Sequence, residues 1–419
     1  MDVCLYEDRG AADLEPLTLT RPVFDLLCGQ SSLAEKQARH FQATVCNAVV
    51  RPHLADVVRL QSPGMAVNDF AATGLVVVVN GRWLPPAAIA LNLSGPSVGV
   101  VGDEPVYAVV EAKQFTARTP DAVEEQMEQW KGSLPCRDAG GRLFRWLWEI
   151  VAHNGDQIIA DCAATEYRHA VAGAQVLPAL IGPRERLRLD RTARIDPFVV
   201  ADLTNGPIVI GPDAVVTAFS RLEGPCVIGP RSRVHSANIR AGTTIGPDCR
   251  VGGEIECSII QGCSNKAHEG FLGHSYLGEW VNLGAGTQTS DLRNDYGEVS
   301  VVVNGRLIRT GQNKIGCFLG DHTKTAVGTL LNTGTSVGAF CNLLPDGLLP
   351  RRIPSFVRCL EGRLTYNDDL ENQLNTAGRV MARRGRELTP AHEALYRAAF
   401  EETAVDRFDA ERRALRRSA

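Results

Sequence analysis

The chain lacks the marks of several large protein classes. It has no basic excess: 44 Lys and Arg against 48 Asp and Glu leave a net charge of −4. That removes the electrostatic footprint of a nucleic-acid binder. It holds no run of eighteen apolar residues, so no membrane-spanning helix is expected. The opening, Met1-Asp2-Val3-Cys4-Leu5-Tyr6-Glu7-Asp8, has no basic segment followed by an apolar one. It reads as a first strand, not a signal peptide. The twelve cysteines include no Cys-x-x-Cys pair, and many sit beside aliphatics, as in Cys226-Val227-Ile228 and Cys257-Ser258-Ile259. Such usage fits small buried hydrophobes in a reducing cytoplasm better than disulfides or zinc. Aromatics make up only 6%.

What the chain has is glycine, 40 residues in 419, and with it the promise of many tight turns. The length suits two domains. Over residues 1–165, apolar strand-like runs (Asp2–Tyr6, Gly74–Val79, with Ser97–Val101 and Val106–Val110 weaker) alternate with helical stretches at Pro120–Trp130 and Leu143–Val151. Gly74–Val79 is apolar throughout, as in a buried parallel strand. The alternation predicts an α/β domain.

From about Leu177 the punctuation changes. Ile-Gly-Pro recurs at 181–183, 210–212, 228–230 and 245–247, the last three starting 18 and 17 residues apart. Between them an aliphatic returns about every six positions: Ile210, Val216, Leu222, Ile228, Val234, then Ile245 and Val251. Three such steps make one triangular coil of about 18 residues, with the aliphatic pointing into a prism and Gly or Asn at the corner. Residues 175–360 are therefore expected to form a parallel β-helix. Glu298–Val303, Asn304-Gly305 and Arg306–Thr310 read as a hairpin with a type I′ turn, an arm projecting from the solenoid. Residues 366–419 are expected to form a helical extension, with helices over Asp368–Arg384 and Pro390–Leu415, the second opened by Thr389 and Pro390. Their charges are expected to form a solvated face over the last coil.

The densest polar stretch runs from Asn265 to Thr287. Moving an acyl group from a thioester to an amine needs a base, for which histidine is the usual choice. It also needs donors for the oxyanion, which N–H groups at glycine turns can supply. The stretch from His268 to Thr287, with aromatic-Leu-Gly and then Val281-Asn282-Leu283-Gly284-Ala285-Gly286-Thr287, resembles the acetyltransferase domain of the bifunctional N-acetylglucosamine-1-phosphate uridyltransferase / glucosamine-1-phosphate acetyltransferase family. Gly270–Gly273, Leu277–Trp280, Gly320–Lys324, Asn332–Thr335 and Ile353–Phe356 resemble an alternative bacterial branch of it. The resemblance implies a left-handed hexapeptide-repeat β-helix and acetyl-CoA as co-substrate. It implies His268 as catalytic base, and Lys266, Phe271, Asn282, Asp291 and Arg293 as substrate-binding residues. Ala285, Asp321 and Lys324 would bind acyl-CoA. Phe271 and Asp291 replace a tyrosine and an asparagine of the common form, which bears on the acceptor. His274, His322, Arg306 and Arg309 are open between surface and site roles.

Pro16-Leu17-Thr18-Leu19-Thr20-Arg21-Pro22 resembles the N-terminal signature of the same branch, and Val79-Asn80-Gly81-Arg82, Trp148-Glu149-Ile150, Asn154 and Asp161 its later signatures. The resemblance implies a Rossmann-like sugar nucleotidyltransferase fold. Arg21, Lys36, Asn80 and Arg82 would bind nucleotide phosphates, and Asp103 or Asp161 would hold Mg²⁺ with a nucleoside triphosphate, UTP by the same resemblance. Leu27 replaces a second arginine and Asn80 an aspartate, so the domain is either a nucleotidyltransferase or a retained binding fold. The expected partners are a sugar phosphate, acyl-CoA and nucleotide, with neither nucleic acid nor membrane, in a cytoplasmic homotrimer. The rivals are a monofunctional nucleotidyltransferase with an oligomerising β-helix, and a non-catalytic scaffold.

Overall fold

Strand β1 (Asp2–Tyr6) pairs in parallel with β2 (Val45–Val49) on one side and β3 (Leu75–Asn80) on the other. Its side chains alternate between two cores. Val3 and Leu5 join Val77 and Val79 below the sheet, and Cys4 and Tyr6 join Val76 and Val78 above it. Continuous apolar runs are what a sheet covered on both faces requires. With β4 (Ser97–Val101), β5 (Glu104–Glu111) and β6 (Cys136–Asp138), the sheet order is β2-β1-β3-β5-β4-β6. It is mixed: β3 is parallel to β1 but antiparallel to β5. Helices α1 (Leu33–His40), α2 (Ala55–Gln61), α3 (Pro120–Ser133) and α4 (Leu147–Ala164) complete the unit. Arg142–Leu143 is a strand paired with Trp83–Leu84, so the helix expected from Leu143 begins four residues later.

The computed structural model describes residues 2–69, 73–87, 93, 95–164, 178–360, 363–366 and 369–410. The expected boundary between the first two domains, 165–175, lies outside them, as do the ends of both expected C-terminal helices at Asp368 and Leu415.

The solenoid is a stack of parallel strands on three faces. The first face runs from Ala179–Ile181 through Val200–Asp202 and Arg221–Glu223 to Phe271–Gly273. The second is a nine-stranded ladder from Leu187–Leu189 to Arg352–Ile353. The third includes Arg194–Ile195, Val215–Val216 and Asn265–Lys266, and continues through Asn282 to Lys324–Thr325 and Val357–Leu360. All seven aliphatics of the six-residue spacing are fully buried in its core. Buried Ser232, Ser264 and Ser275 take the amides of Cys249, Val281 and Cys317 in the next coil. Ile181 is the exception among the Ile-Gly-Pro triplets: it lies on the first face and is exposed.

Two expectations about packing are corrected. The hairpin forms, from Ser300–Val303 and Arg306–Arg309, but it does not project. Val299, Val301 and Val303 would present an apolar face to water, and instead they are buried with Leu14, Leu17 and Val23 of the first domain. Asn304 Nδ2 donates to Asp13 at 2.8 Å. The C-terminal helices α5 (Leu370–Ala382) and α6 (Pro390–Glu402) do not merely cover the last coil. Leu374, Ala377, Leu395, Tyr396 and Ala399 share one core with Phe340 and Phe356 of the solenoid and Leu54, Ala55 and Val58 of the first domain. Among the described residues no helix is long and apolar enough to cross a membrane.

Candidate active site

His268 stands on the edge between the third face, at Asn265–Lys266, and the first, at Phe271–Gly273. Its side chain is exposed and points away from the prism. It lines a groove of about 760 Å³ together with Asn265, Trp280, Asn282, Ala285, Lys324 and Val327, and with Val380, Arg383 and Arg384 at the end of α5. Asn282 Oδ1 accepts from Asn265 Nδ2 at 3.2 Å, and Asn265 Oδ1 accepts from Arg384 Nη2 at 2.7 Å. The Asn282 Nδ2 has no protein partner among the described residues, so it is available to a ligand. The amides of Gly284 and Gly286 are taken up inside the stack by Thr325 and Glu269, so neither is a free oxyanion donor.

The other residues of the expected acyl-transfer set divide. Lys324 lines the groove; its Nζ donates to the His322 carbonyl at 2.8 Å, and burial lowers its pKa to about 8. Lys266 does not face a ligand. It is buried, its Nζ donates to the carbonyls of Gly252 (2.9 Å) and His268 (2.8 Å), and burial lowers its pKa to about 8. It holds the loop that carries His268. Phe271 leans over Gly273, where a Cβ would come within 2.4 Å of the ring, next to Asp291. Asp291 accepts from His274 Nδ1 at 2.7 Å. Burial opposes the imidazolium charge, but its hydrogen bonds to Asp291 and Cys257 outweigh that and raise the His274 pKa to about 9. His274 and Cys257 line a separate cleft of about 560 Å³ against Trp148 and Lys314. Arg293 is paired with Asp295 at 2.8 Å, outside the groove. Arg306 and Arg309 are drawn to Asp13 and Glu298.

In the first domain the cations expected at the nucleotide are engaged internally. Arg21 Nη2 lies 2.6 Å from Asp321 Oδ2, both nearly inaccessible. Asp321 also accepts from Thr20 Oγ1 at 2.7 Å and the Glu279 amide at 2.8 Å. Asp321 is therefore a tie between the domains and not a groove residue. Lys36 Nζ and Arg39 Nη2 approach the two oxygens of Asp161 at 2.6 and 2.7 Å, beside a cavity of about 270 Å³. Arg82 Nε donates to Asp8 Oδ1 at 2.6 Å and its Nη1 to the Phe144 carbonyl at 2.7 Å, while Asn80 Nδ2 donates to Asp8 Oδ2 at 2.7 Å. Asp8 was not singled out from the sequence. Its place two residues beyond Tyr6, the end of β1, where α/β sheets bind ligands, was the available signal.

The expected Mg²⁺ ligands do not fit a metal. Asp103 is wholly solvent-exposed on the turn between β4 and β5, with Lys131 at 3.9 Å. Asp161 is occupied by Lys36, Arg39 and the Gln30 amide at 2.9 Å. Among the described residues no group of three or more His, Cys, Asp or Glu is placed to hold a metal ion.

A mixed sheet with an acidic and cationic cluster at its strand ends, docked on a three-faced hexapeptide solenoid with a histidine groove, defines the class: a nucleotidyltransferase-type domain joined to an acyltransferase-type β-helix. Residues 3–169 match the family described as sugar nucleotidyl transferase. It is 35% identical over 100 residues to a bifunctional sugar-1-phosphate nucleotidylyltransferase/acetyltransferase of Sulfurisphaera tokodaii, covering 24% of this chain and 25% of the relative. It is 28% identical over 183 residues to an uncharacterized acetyltransferase, YaiX, of Escherichia coli, covering 43% of this chain and 80% of the relative. Against the bifunctional protein GlmU of a Synechococcus strain it is 27% identical over 189 residues, covering 36% and 28%. The chain thus spans about a quarter of the length of these two bifunctional relatives.

Proposed function

We propose that the chain is a transferase that acetylates an amino-sugar 1-phosphate from acetyl-CoA in the His268 groove, and that its first domain is of the type that joins such a product to a nucleotide. The observation that carries the reading is the placement of an exposed imidazole beside Asn282 and Ala285 in one groove. His268 takes the proton as the amine nitrogen attacks the thioester carbonyl, the thiolate leaves, and the acyl–nitrogen bond forms. Asn282, oriented by Asn265, offers its Nδ2 to the acceptor or the carbonyl oxygen.

The reading includes a homotrimer with the groove shared between copies. Val327 on the groove, and Leu330 and Leu348 on the same part of the solenoid, are exposed, as is the stacked pair Phe198 and Phe219 (ring centroids 5.7 Å apart). Exposed apolar surface of this kind marks association sites. The names of the bifunctional relatives support the pairing of the two activities, and a cytoplasmic setting accords with twelve free cysteines.

The test is thiol release from acetyl-CoA with glucosamine 1-phosphate. The parent should release thiol and His268→Ala should not, with both unfolding at the same temperature. Equal rates would overturn the assignment. A second reading is favoured by the internal pairs of Arg21, Lys36 and Arg82: the first domain serves as a docking scaffold. Pyrophosphate release from UTP and N-acetylglucosamine 1-phosphate separates the two.

A further inference from the structure

The groove beside His268 is bordered by more cations than the acyl chemistry uses. Arg250 comes from the third face, Lys324 from a later coil, and Arg383 and Arg384 from the end of α5. Among the described residues none of the four forms an ion pair. The carboxylate nearest by charge, Asp248, is engaged by Arg231 at 2.7 Å. The guanidinium of Arg250 reaches only carbonyls, those of Arg231 and Cys249. Burial, then Arg384 and Arg233, lower the Arg250 pKa, and burial with Arg250, Arg233 and His268 does the same to His235. Like charges held this close stay together at a cost unless an anion joins them.

A helix C-terminus favours arginine through its dipole, an effect of about 1 kcal/mol at most on an exposed end. That accounts for arginine just past the end of α5. It does not account for Arg384 reaching across to Asn265, which in turn holds Asn282.

We propose that the end of α5 completes the groove as a phosphate anchor, with Arg383, Arg384 and Arg250 gripping a phosphate monoester while the reacting group lies at His268. The inference rests on the acyl-transfer reading for the neighbour it gives the phosphate, and on the four converging cations for the anion itself. Two ligands of that reading carry such a phosphate: the adenosine end of coenzyme A and the sugar 1-phosphate.

The experiment is calorimetric binding of coenzyme A, dephospho-coenzyme A and glucosamine 1-phosphate to the full chain, at low and at physiological salt. Arg383 is exposed, so Arg383→Ala and Arg383→Glu should fold. Loss of one charge-assisted contact should weaken the phosphate-bearing ligand about tenfold, and reversal of charge more. If the anchor serves the carrier, the parent prefers coenzyme A to the dephospho form and Arg383→Glu abolishes that preference. If it serves the acceptor, glucosamine 1-phosphate binding falls and the two carriers stay alike. Parent-like binding of all three ligands by both variants overturns the anchor, and so does failure of the parent to bind any of them. A parent that binds in the expected way but releases no thiol from acetyl-CoA overturns the acyl-transfer reading and leaves the anchor standing.

Discussion

Arg21, just after the first-domain segment Pro16–Thr20, and Asp321, on a coil 300 residues later, meet at 2.6 Å with both side chains almost out of reach of solvent. Burial works against the Arg21 charge, and Asp321 with Glu279 more than reverses it, so its pKa is raised. Removing one partner would strand the other. Asp321→Ala should cost about 3–5 kcal/mol, as for other buried pairs broken on one side, and should also free Thr20 Oγ1 and the Glu279 amide. Urea midpoints check this. The paired change Arg21→Met with Asp321→Leu should recover most of the loss, because two apolar groups need no compensation. A single variant as stable as the parent would show that the contact does not tie the domains.

The solenoid was legible because its rule is local. Each aliphatic from Ile210 to Val251 is placed by its own spacing, and each is buried in the prism. The strands Asp2–Tyr6 and Ser97–Val101 were legible for the same reason. His268 was singled out by its ungapped context, and the structure places it on the groove, which leaves its role as a base to the proposed test. What escaped was pairing at long range. Nothing near Arg21 points to Asp321, nor anything near Lys36 to Asp161, and a cation read alone looks free for phosphate. The arm and the C-terminal helices escaped likewise: their alternating or helical faces were visible, but not the surfaces that cover them.

The His274–Asp291 pair should make stability depend on alkaline pH. The folded-state pKa of His274 is raised from 6.5 to about 9. Its contribution is therefore complete below about pH 6.5 and is lost as pH rises through 9. At 1.36 kcal/mol per unit the span is on the order of 3 kcal/mol. Chemical denaturation of the parent and of Asp291→Asn at pH 6 and pH 9.5 measures it. The difference between the two proteins should be largest at pH 6 and should shrink at pH 9.5. A difference independent of pH would remove the charge from the explanation.

Lys266 acts on His268 through its backbone. Its Nζ spans the carbonyls of Gly252 and His268. Lys266→Met keeps the stem and deletes both bonds. Two carbonyls lose a partner, at about 1–3 kcal/mol where the group is buried, while an ammonium disfavoured by burial is also removed, so the net loss of stability should be small. The larger effect should fall on turnover, since a misplaced base costs up to about 100-fold. We expect kcat to fall tenfold or more with little change in the KM for acetyl-CoA. If KM rises and kcat holds, Lys266 contacts the substrate itself.

The dock of α6 turns on His322. Its ring is stacked on Phe340 (centroids 4.6 Å apart) and, more distantly, on Trp280 (6.0 Å), and its Nε2 shares a hydrogen bond with Tyr396 Oη at 3.1 Å. Burial, with Lys324, His392 and Arg21 nearby, holds its pKa well below 6.5, so the imidazole is neutral in the folded chain. A neutral histidine that becomes charged only on unfolding stabilises the fold above its ordinary pKa and weakens it as pH falls. Tyr396→Phe removes one bond, about 1 kcal/mol. Tyr396→Ala also leaves a cavity among Phe340, His322 and His392, about 3–5 kcal/mol. Thermal melts at pH 8 and pH 5.5 should therefore rank parent, Phe and Ala in that order, with all three lower at pH 5.5. Because Trp280 is stacked on the same imidazole, its fluorescence should change when α6 lets go. An alanine variant that melts like the parent would mean that the helix is held elsewhere, by Leu395 and Ala399 against the first domain.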